Sequence, residues 1–158
     1  MKKIGIEIKW GVLFALVGLL WMVMEKALGW HDVLLEKHMI YTNFFAIVAI
    51  LVYVIALLDK RKNYYNGKMT WLQGFLSGLA ISVVVAILSP LTQYITSIYI
   101  TPDYFSNVIE LSVEKGLKTQ EEAEKYFSLK NYIIQSVIGA FAMGVITSAI
   151  VALFVKKK

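Results

Sequence analysis

The sequence contains no cysteine, only two prolines and few charged residues for its length. Without cysteine there are no disulfides, no thiol catalysis and no thiolate metal sites. Hydrophobic residues make up 58% of the 158 residues and charged residues 17%. A soluble domain is about half apolar and about a quarter charged. Together with a mean hydropathy of +0.64, this balance indicates that much of the chain is solvated by lipid.

Common catalytic and cofactor fingerprints are also missing. The chain has no phosphate-binding loop, dinucleotide glycine pattern, His-Glu-x-x-His zinc motif or Gly-x-Ser-x-Gly elbow. No linker or repeat divides it, so residues 1–158 are interpreted as one domain. The net charge of +5 comes from basic residues beside apolar runs, so nucleic-acid binding is not expected. We expect a protein that is not an enzyme and has no cofactor.

Four apolar runs are long enough to cross a bilayer, which requires about 20 residues in a helix. In hydrocarbon every backbone amide must be hydrogen-bonded, and this favours helices over open strands. We therefore predict an all-α membrane protein with four transmembrane helices. The predicted spans are residues 8–24, 40–58, 71–94 and 131–155.

The distribution of basic residues predicts the direction of insertion. Ten Lys/Arg residues lie at the two termini or between the second and third spans, and six lie in the other two connections. By the positive-inside rule, both termini are cytoplasmic. The first run follows Lys2 and Lys3 and resembles a signal peptide, but Glu25 and Lys26 crowd the cleavage-like site, so an uncleaved span is predicted.

The third and fourth spans each carry small residues at four-residue spacing. Such residues let helix backbones approach closely in lipid. We predict that these two spans cross closely, within one protomer or across a dimer. The two stripes are Gly74, Gly78, Ser82 and Ala86, and Ser136, Ala140, Gly144 and Ser148.

Pro90 lies near the outer end of the third span, where it removes a hydrogen bond to the Ala86 carbonyl and predicts a kink. Nearby polar residues could repair the freed backbone or line a transport pathway, and repair is the favoured interpretation. No ionisable residue lies deep in a predicted span, which argues against a coupled transporter. The pathway candidates are Pro90, Gln93, Tyr94 and Gln135.

Residues 101–130 are too long and too patterned for a passive loop. Thr101 is predicted to cap a helix that begins at Pro102 and ends near Gly116. A capping box from Thr119 to Glu122 opens a second helix. We predict an amphipathic helical hairpin on the outer side, which could lie on the membrane, cover the bundle or hold a partner.

Both histidines lie between the first two spans, beside several carboxylates. On one continuous helix, His31 and His38 would be separated by about 10 Å, too far to share an ion. A joint site therefore requires a bend, which Gly29 allows. The spacing matches no zinc signature, so the favoured interpretation is a solvated loop without a metal. The candidate ligands are Glu25, His31, Asp32, Glu36 and His38.

Several stretches together resemble an uncharacterised family of small four-span bacterial inner-membrane proteins, a domain of unknown function. They are EKALGWHD, HMIYTNFFAI, NGKMTWLQGF, SPLTQYI, ITPDYF and QEEAEKYF. The resemblance covers nearly the whole chain and implies a bacterial inner-membrane location and a four-helix fold. It assigns no catalytic or ligand residue. It also suggests association with a lipid-linked glycosyltransferase.

Three functional hypotheses follow. The first is a binding or scaffold protein that acts as an accessory subunit of an envelope complex, in contact with membrane lipid and with a membrane-protein partner or further copies of itself. The alternative is a small oligomeric channel or transporter. The third is a membrane enzyme or metal-binding protein that uses the His31/His38 loop.

Overall fold

The computed structural model describes residues 4–157, which form a bundle of helices. Four segments are long and apolar enough to cross a membrane, and the described residues contain no strand, so the predicted all-α class is confirmed. Lys2, Lys3 and Lys158, used above for the direction of insertion, lie outside the described residues. The helices are α1 (Gly5–Ala27), α2 (His38–Tyr41), α3 (Phe45–Asn63), α4 (Trp71–Ile95), α5 (Tyr104–Glu114), α6 (Gln120–Tyr126) and α7 (Leu129–Val155).

Each membrane-length segment is longer than the apolar run that predicted it. Tight helical turns join α2 to α3, so the second segment runs over Leu35–Asn63, and a π turn extends the third over Trp71–Ile100. Apolar residues mark only the part of a helix that meets hydrocarbon, whereas its hydrogen bonds continue into polar flanks. Three buried ionisable residues, Glu7, Glu25 and Lys60, lie in the terminal turns of these helices, outside the predicted apolar runs.

The outside of the bundle is apolar. Large aliphatic and aromatic side chains on all four long segments face outward, and Leu20, Ile87 and Phe154 are at least two-thirds exposed. Surfaces of this size are not left in contact with water by a soluble domain. The protein is a multi-pass membrane protein. The start of α1, the end of α7 and the α3–α4 connection lie at one end of the bundle (the termini end), and the α5–α6 hairpin lies at the other (the hairpin end).

The two small-residue stripes meet where α4 crosses α7 within one chain, in the most extensive helix contact of the bundle. A Cβ atom added to Gly78 would overlap Ser148, and one added to Gly144 would overlap Ser82. Gly74 faces Ala152 in the same antiparallel register. Towards the hairpin end the helices diverge, and the remaining members of the α7 stripe, Ser136 and Ala140, line a cavity.

At the termini end, a buried ion pair joins the first two long segments. Lys60 Nζ lies 2.8 Å from Glu7 Oε1, and it also lies 3.8 Å from the ring centroid of Tyr64. Next to this pair, Met69 and Lys157 exchange two backbone hydrogen bonds of 2.8 Å. The end of α7 is thereby fixed to the α3–α4 connection.

Near the hairpin end, α4 continues through Pro90. The Ser89 hydroxyl donates a 2.8 Å hydrogen bond to the Ala86 carbonyl, the group that proline leaves without its amide partner. Thr101 does not cap the next helix as predicted. Its amide and hydroxyl both donate to the Thr96 carbonyl and close the π turn, so α5 begins at Tyr104.

The predicted end of the first hairpin helix and start of the second agree with the structure. Gly116, at φ +65°, follows α5, and its amide donates to Val113. Thr119 and Glu122 form the predicted capping box of α6. Both features depend on a few adjacent residues, so the sequence pattern alone defines them.

Candidate metal centre

The connection after α1 makes a sharp turn that depends on Gly29. This residue has φ +73°, a left-handed conformation that glycine adopts without steric cost. Its amide donates to the Lys26 carbonyl, and the Trp30 amide donates to the Glu25 carbonyl. These two bonds form the Schellman pattern that ends helices. The indoles of Trp30 and Trp21 also meet, with centroids 6.3 Å apart, which holds the turn against α1.

The turn sends His31 back towards the last turn of α1, and the next helical segment brings His38 to the same place. Glu25 Oε2 lies 2.8 Å from His31 Nε2 and 3.2 Å from His38 Nε2. A carboxylate oxygen only accepts hydrogen bonds, so both imidazoles donate to it through Nε2–H. Donor atoms of these three side chains all lie within 4.8 Å of one another.

The cluster is largely buried, and His38 is its most exposed member. Glu25 is 0% exposed and His31 is 3% exposed. The second carboxylate oxygen of Glu25 accepts a hydrogen bond from the Trp21 indole. The interpretation of the histidine stretch as a solvated loop is therefore wrong for His31. Sequence spacing could not show this burial, because it depends on the turn at Gly29 and on a cover supplied by α5.

That cover comes from Tyr104 and Asn107. The Tyr104 ring packs edge-to-face against both imidazoles, with centroids 5.5 Å from His31 and 5.4 Å from His38. Its hydroxyl is 3.4 Å from His38 Nδ1, while Asn107 Nδ2 donates to the His31 carbonyl. Burial raises the pKa of Tyr104 above its ordinary value, so its hydroxyl keeps its proton and remains available to the imidazole. Sequence reasoning missed both residues, because nothing in the sequence pairs α5 with this loop.

The other two candidate ligands point elsewhere. Asp32 Oδ1 accepts the Val33 amide, and this hydrogen bond lowers the pKa of the Asp32 carboxyl. Asp32 Oδ2 lies 3.5 Å from Lys26 Nζ. Glu36 pairs with Lys115 of the α5–α6 connection at 2.9 Å, instead of with its neighbour Lys37. Only Glu25, His31 and His38 are brought together.

A polar cavity of about 180 Å³ adjoins the cluster. It is lined by His31, His38 and Tyr104, and by Gln93 and other polar residues at the π turn. Irregular backbone at membrane depth occurs where it lines such a cavity. Of the pathway candidates, Gln93 faces this space and donates to Ser97, whereas Tyr94 and Gln135 face outward, and Pro90 lies one turn below.

The cluster geometry fits a small divalent cation. Zinc binds imidazole nitrogen at about 2.0–2.1 Å and carboxylate oxygen at about 2.0–2.2 Å, so tetrahedral ligand atoms lie about 3.3 Å apart. The separations of 2.8 and 3.2 Å from Glu25 Oε2 are close to this spacing. Metal binding would replace the two Nε2 protons. The two imidazole donor atoms lie within 4.8 Å of each other, so the rings would have to approach by up to about 1.5 Å to complete three corners of a tetrahedron.

One atom of the cluster has no partner among the described residues. His31 Nδ1 is buried without a hydrogen bond. A ligating imidazole usually donates its second N–H to an acceptor, as His38 Nδ1 can towards Tyr104. His31 is instead held through its backbone carbonyl by Asn107. The position of its ring therefore depends both on the Nε2 bond to Glu25 and on α5 packing against the loop.

Together, the fold and the cluster define a four-span helical membrane protein with a buried Glu–His–His group at one end. Residues 9–157 match the family described as "Protein of unknown function (DUF4199)". The chain belongs to this family, which agrees with the resemblance drawn from its sequence. No curated protein and no solved structure matches the chain.

Proposed function

We propose that this protein binds one zinc ion through Glu25, His31 and His38 at the hairpin end of the bundle. The observation that supports this proposal is the convergence of three donor atoms within 4.8 Å in a largely buried position. A carboxylate and two imidazoles can satisfy one another by hydrogen bonds, as they do here. Few other roles call for this set of side chains around one point at a lipid interface.

The donor set favours zinc over other metal ions. A site without thiolates that uses imidazole and carboxylate suits zinc, and three protein ligands leave a fourth position for water or a substrate. Two histidines with one glutamate is a donor set found in catalytic zinc sites. One carboxylate opposite a doubly charged cation leaves a local charge of about +1, so an anionic oxygen is favoured as the fourth ligand.

We also propose that the protein lies in a bacterial inner membrane with both termini in the cytoplasm. The ten basic residues at the termini end against six at the hairpin end support this direction. The zinc site then lies on the outer side. The accessory-subunit role stays a prediction, as does association with a lipid-linked glycosyltransferase. The channel hypothesis is weakened because Tyr94 and Gln135 face outward.

Metal content measured after purification and zinc loading tests the metal proposal. We expect one tightly held zinc per chain after dialysis, and less than a tenth of that in the His31→Gln/His38→Gln double variant. Asp32→Asn and Glu36→Gln are matched controls, because they remove neighbouring carboxylates that point away from the cluster. Both should keep full zinc content.

Thermal melting in detergent separates loss of metal from loss of fold. Zinc at about a hundred times its dissociation constant should stabilise the native protein by about 2.7 kcal/mol, and it should leave the double variant unchanged. The proposal is overturned if the folded wild-type protein retains no zinc. It is equally overturned if the double variant retains as much zinc as the wild type.

A further inference from the structure

A long apolar groove lies between α3 and α7. Its volume is about 460 Å³, and its walls are aliphatic and aromatic. Several wall residues are half exposed on the outside of the bundle, so the groove is open to lipid along its side. Residues that line it include Ala46, Ala49, Ile50, Gly139, Met143 and Ile146.

Small side chains keep this groove open instead of closing a helix contact. At Gly78 and Gly144 an added Cβ would overlap a facing serine, whereas a Cβ at Gly139 would meet nothing within 4 Å. Ala46 and Ala49 on α3 are also small, and α3 contacts α7 much less than α4 does. Glycine at position 139 therefore leaves space that no other residue in the described range 4–157 fills.

Two further cavities lie between the groove and the Glu25–His31–His38 cluster. Phe14, Phe45 and Ala140 line both the groove and an inner cavity of about 240 Å³. Met22 lines that inner cavity and the polar cavity beside the histidines, and Thr42 lines all three spaces. The three spaces thus adjoin one another from the lipid-facing side to the polar cluster.

The depth of the groove indicates what occupies it. Its α3 wall runs from Thr42 to Tyr53, a rise of roughly 16 Å at about 1.5 Å per residue. This is about half of the roughly 30 Å hydrocarbon core. The polar cluster lies at the hairpin end, and the α7 wall of the groove runs from Gly139 to Ile150, past the middle of that helix. A molecule that fits both has a polar group at the interface and a hydrocarbon tail pointing inward.

We propose that the groove binds one acyl chain of a bilayer lipid, with an oxygen of its polar group directed to the open coordination position of the zinc ion. This proposal rests on the proposed zinc site. The local charge of that site favours an anionic oxygen such as a carboxylate or phosphate. The ring of Phe14 contacts those of Phe45 and Tyr53, with centroids 5.7 Å apart in each pair, and the three rings would flank the chain.

Two hydroxamates test the proposal, because this group chelates zinc whether or not it carries a chain. Binding of acetohydroxamate and of dodecanohydroxamate to the zinc-loaded protein would be measured by calorimetry at one fixed detergent concentration. We expect the wild type to bind dodecanohydroxamate more tightly than acetohydroxamate. Gly139→Leu should weaken dodecanohydroxamate binding about tenfold, as if two methylene contacts were lost, and change acetohydroxamate binding less than about twofold.

Gly5→Leu is the matched control. It introduces the same side chain at another helical glycine with open surroundings, far from the groove, and should affect neither ligand. Ala46→Leu obstructs the groove from the α3 side and should reproduce the effect of Gly139→Leu even if that variant folds poorly. Zinc content is measured for every variant, so loss of the metal is distinguished from obstruction of the groove.

The outcomes separate the two proposals. One outcome overturns the groove proposal and leaves the zinc site standing. In that outcome zinc and acetohydroxamate bind, but dodecanohydroxamate binds no more tightly than acetohydroxamate. Gly139→Leu and Ala46→Leu then also leave its affinity unchanged. If the zinc-free His31→Gln/His38→Gln variant binds dodecanohydroxamate as tightly as the wild type, the polar end does not lie at the metal. If the wild type holds no zinc, both proposals fail.

Discussion

His31 and His38 are seven positions apart in the chain, yet their ring centroids lie only 4.8 Å apart. On a straight helix that sequence separation would correspond to about 10 Å. The rings meet because the chain turns at Gly29 and then starts a new helical run at Leu35. The turn thus determines whether the two side chains can act at one point.

Replacing Gly29 should therefore weaken zinc binding by more than the loss of folding stability alone would explain. Gly29→Ala should destabilise the fold by about 1–2 kcal/mol, since φ is positive there. It should also weaken zinc binding at least about tenfold. Gly116→Ala, at φ +65° in the distant α5–α6 connection, should cost a similar amount and leave zinc affinity unchanged. Thermal melting and competition with a zinc chelator check the two effects. Equal zinc affinities of the two variants would contradict the role given to the turn.

The crossing of α4 and α7 supplies a second prediction. Gly78→Leu should cost about 1–3 kcal/mol, because the new side chain would overlap Ser148 at a close backbone contact. Gly144→Leu should behave similarly against Ser82, whereas Leu79→Ala on the adjoining face should cost much less. The smaller change Gly78→Ala should be partly rescued by Ser148→Gly, which removes the overlapping atoms. Additive melting temperatures for that pair would argue against a shared contact.

The stability of the fold should depend on keeping or replacing both partners of the buried ion pair at the termini end together. Glu7→Met leaves the buried Lys60 ammonium without its carboxylate and should cost about 3–5 kcal/mol. The double variant Glu7→Met/Lys60→Met should recover most of that loss, because two apolar side chains can pack where the pair was. Melting in detergent provides the comparison. A double variant no more stable than Glu7→Met would show that Lys60 is held mainly by other contacts, such as the Tyr64 ring.

Much of the fold is predictable from short-range patterns. The apolar runs locate four spans, the small-residue stripes locate the crossing of α4 and α7, and Thr119 with Glu122 locates the start of α6. Each depends on residues close together in sequence. Helix ends were predicted too short, because hydropathy ends before the hydrogen bonding does.

The candidate site was less predictable, because it depends on contacts between residues far apart in sequence. Its ligand types and the need for a bend at Gly29 were visible in the sequence. The cover by Tyr104 and Asn107 was not, because it joins residues 66 and 76 positions apart. Neither residue belongs to a recognisable motif. Gly11 of α1, where a Cβ would clash with Val84 of α4, was missed although Ala15 and Gly18 follow it at helical spacing.

The direction of insertion is tested by labelling single cysteines, which is straightforward since the chain has none of its own. In intact inner membranes, cysteines introduced at Asn63 and Lys157 should be protected from an impermeant reagent on the outer side. A cysteine introduced at Lys118 in the hairpin should react. The positive-inside distribution gives this expectation. The reverse pattern would place the histidine cluster on the cytoplasmic side.

X-ray absorption at the zinc edge, on protein loaded with one equivalent of zinc, tests the central claim most directly. We predict a shell of nitrogen and oxygen ligands at about 2.0–2.2 Å, with outer-shell scattering from two imidazoles. The imidazole scattering should halve in His38→Gln and disappear in the His31→Gln/His38→Gln variant. A spectrum without imidazole scattering, or one that is the same in wild type and double variant, would contradict a zinc centre at Glu25, His31 and His38.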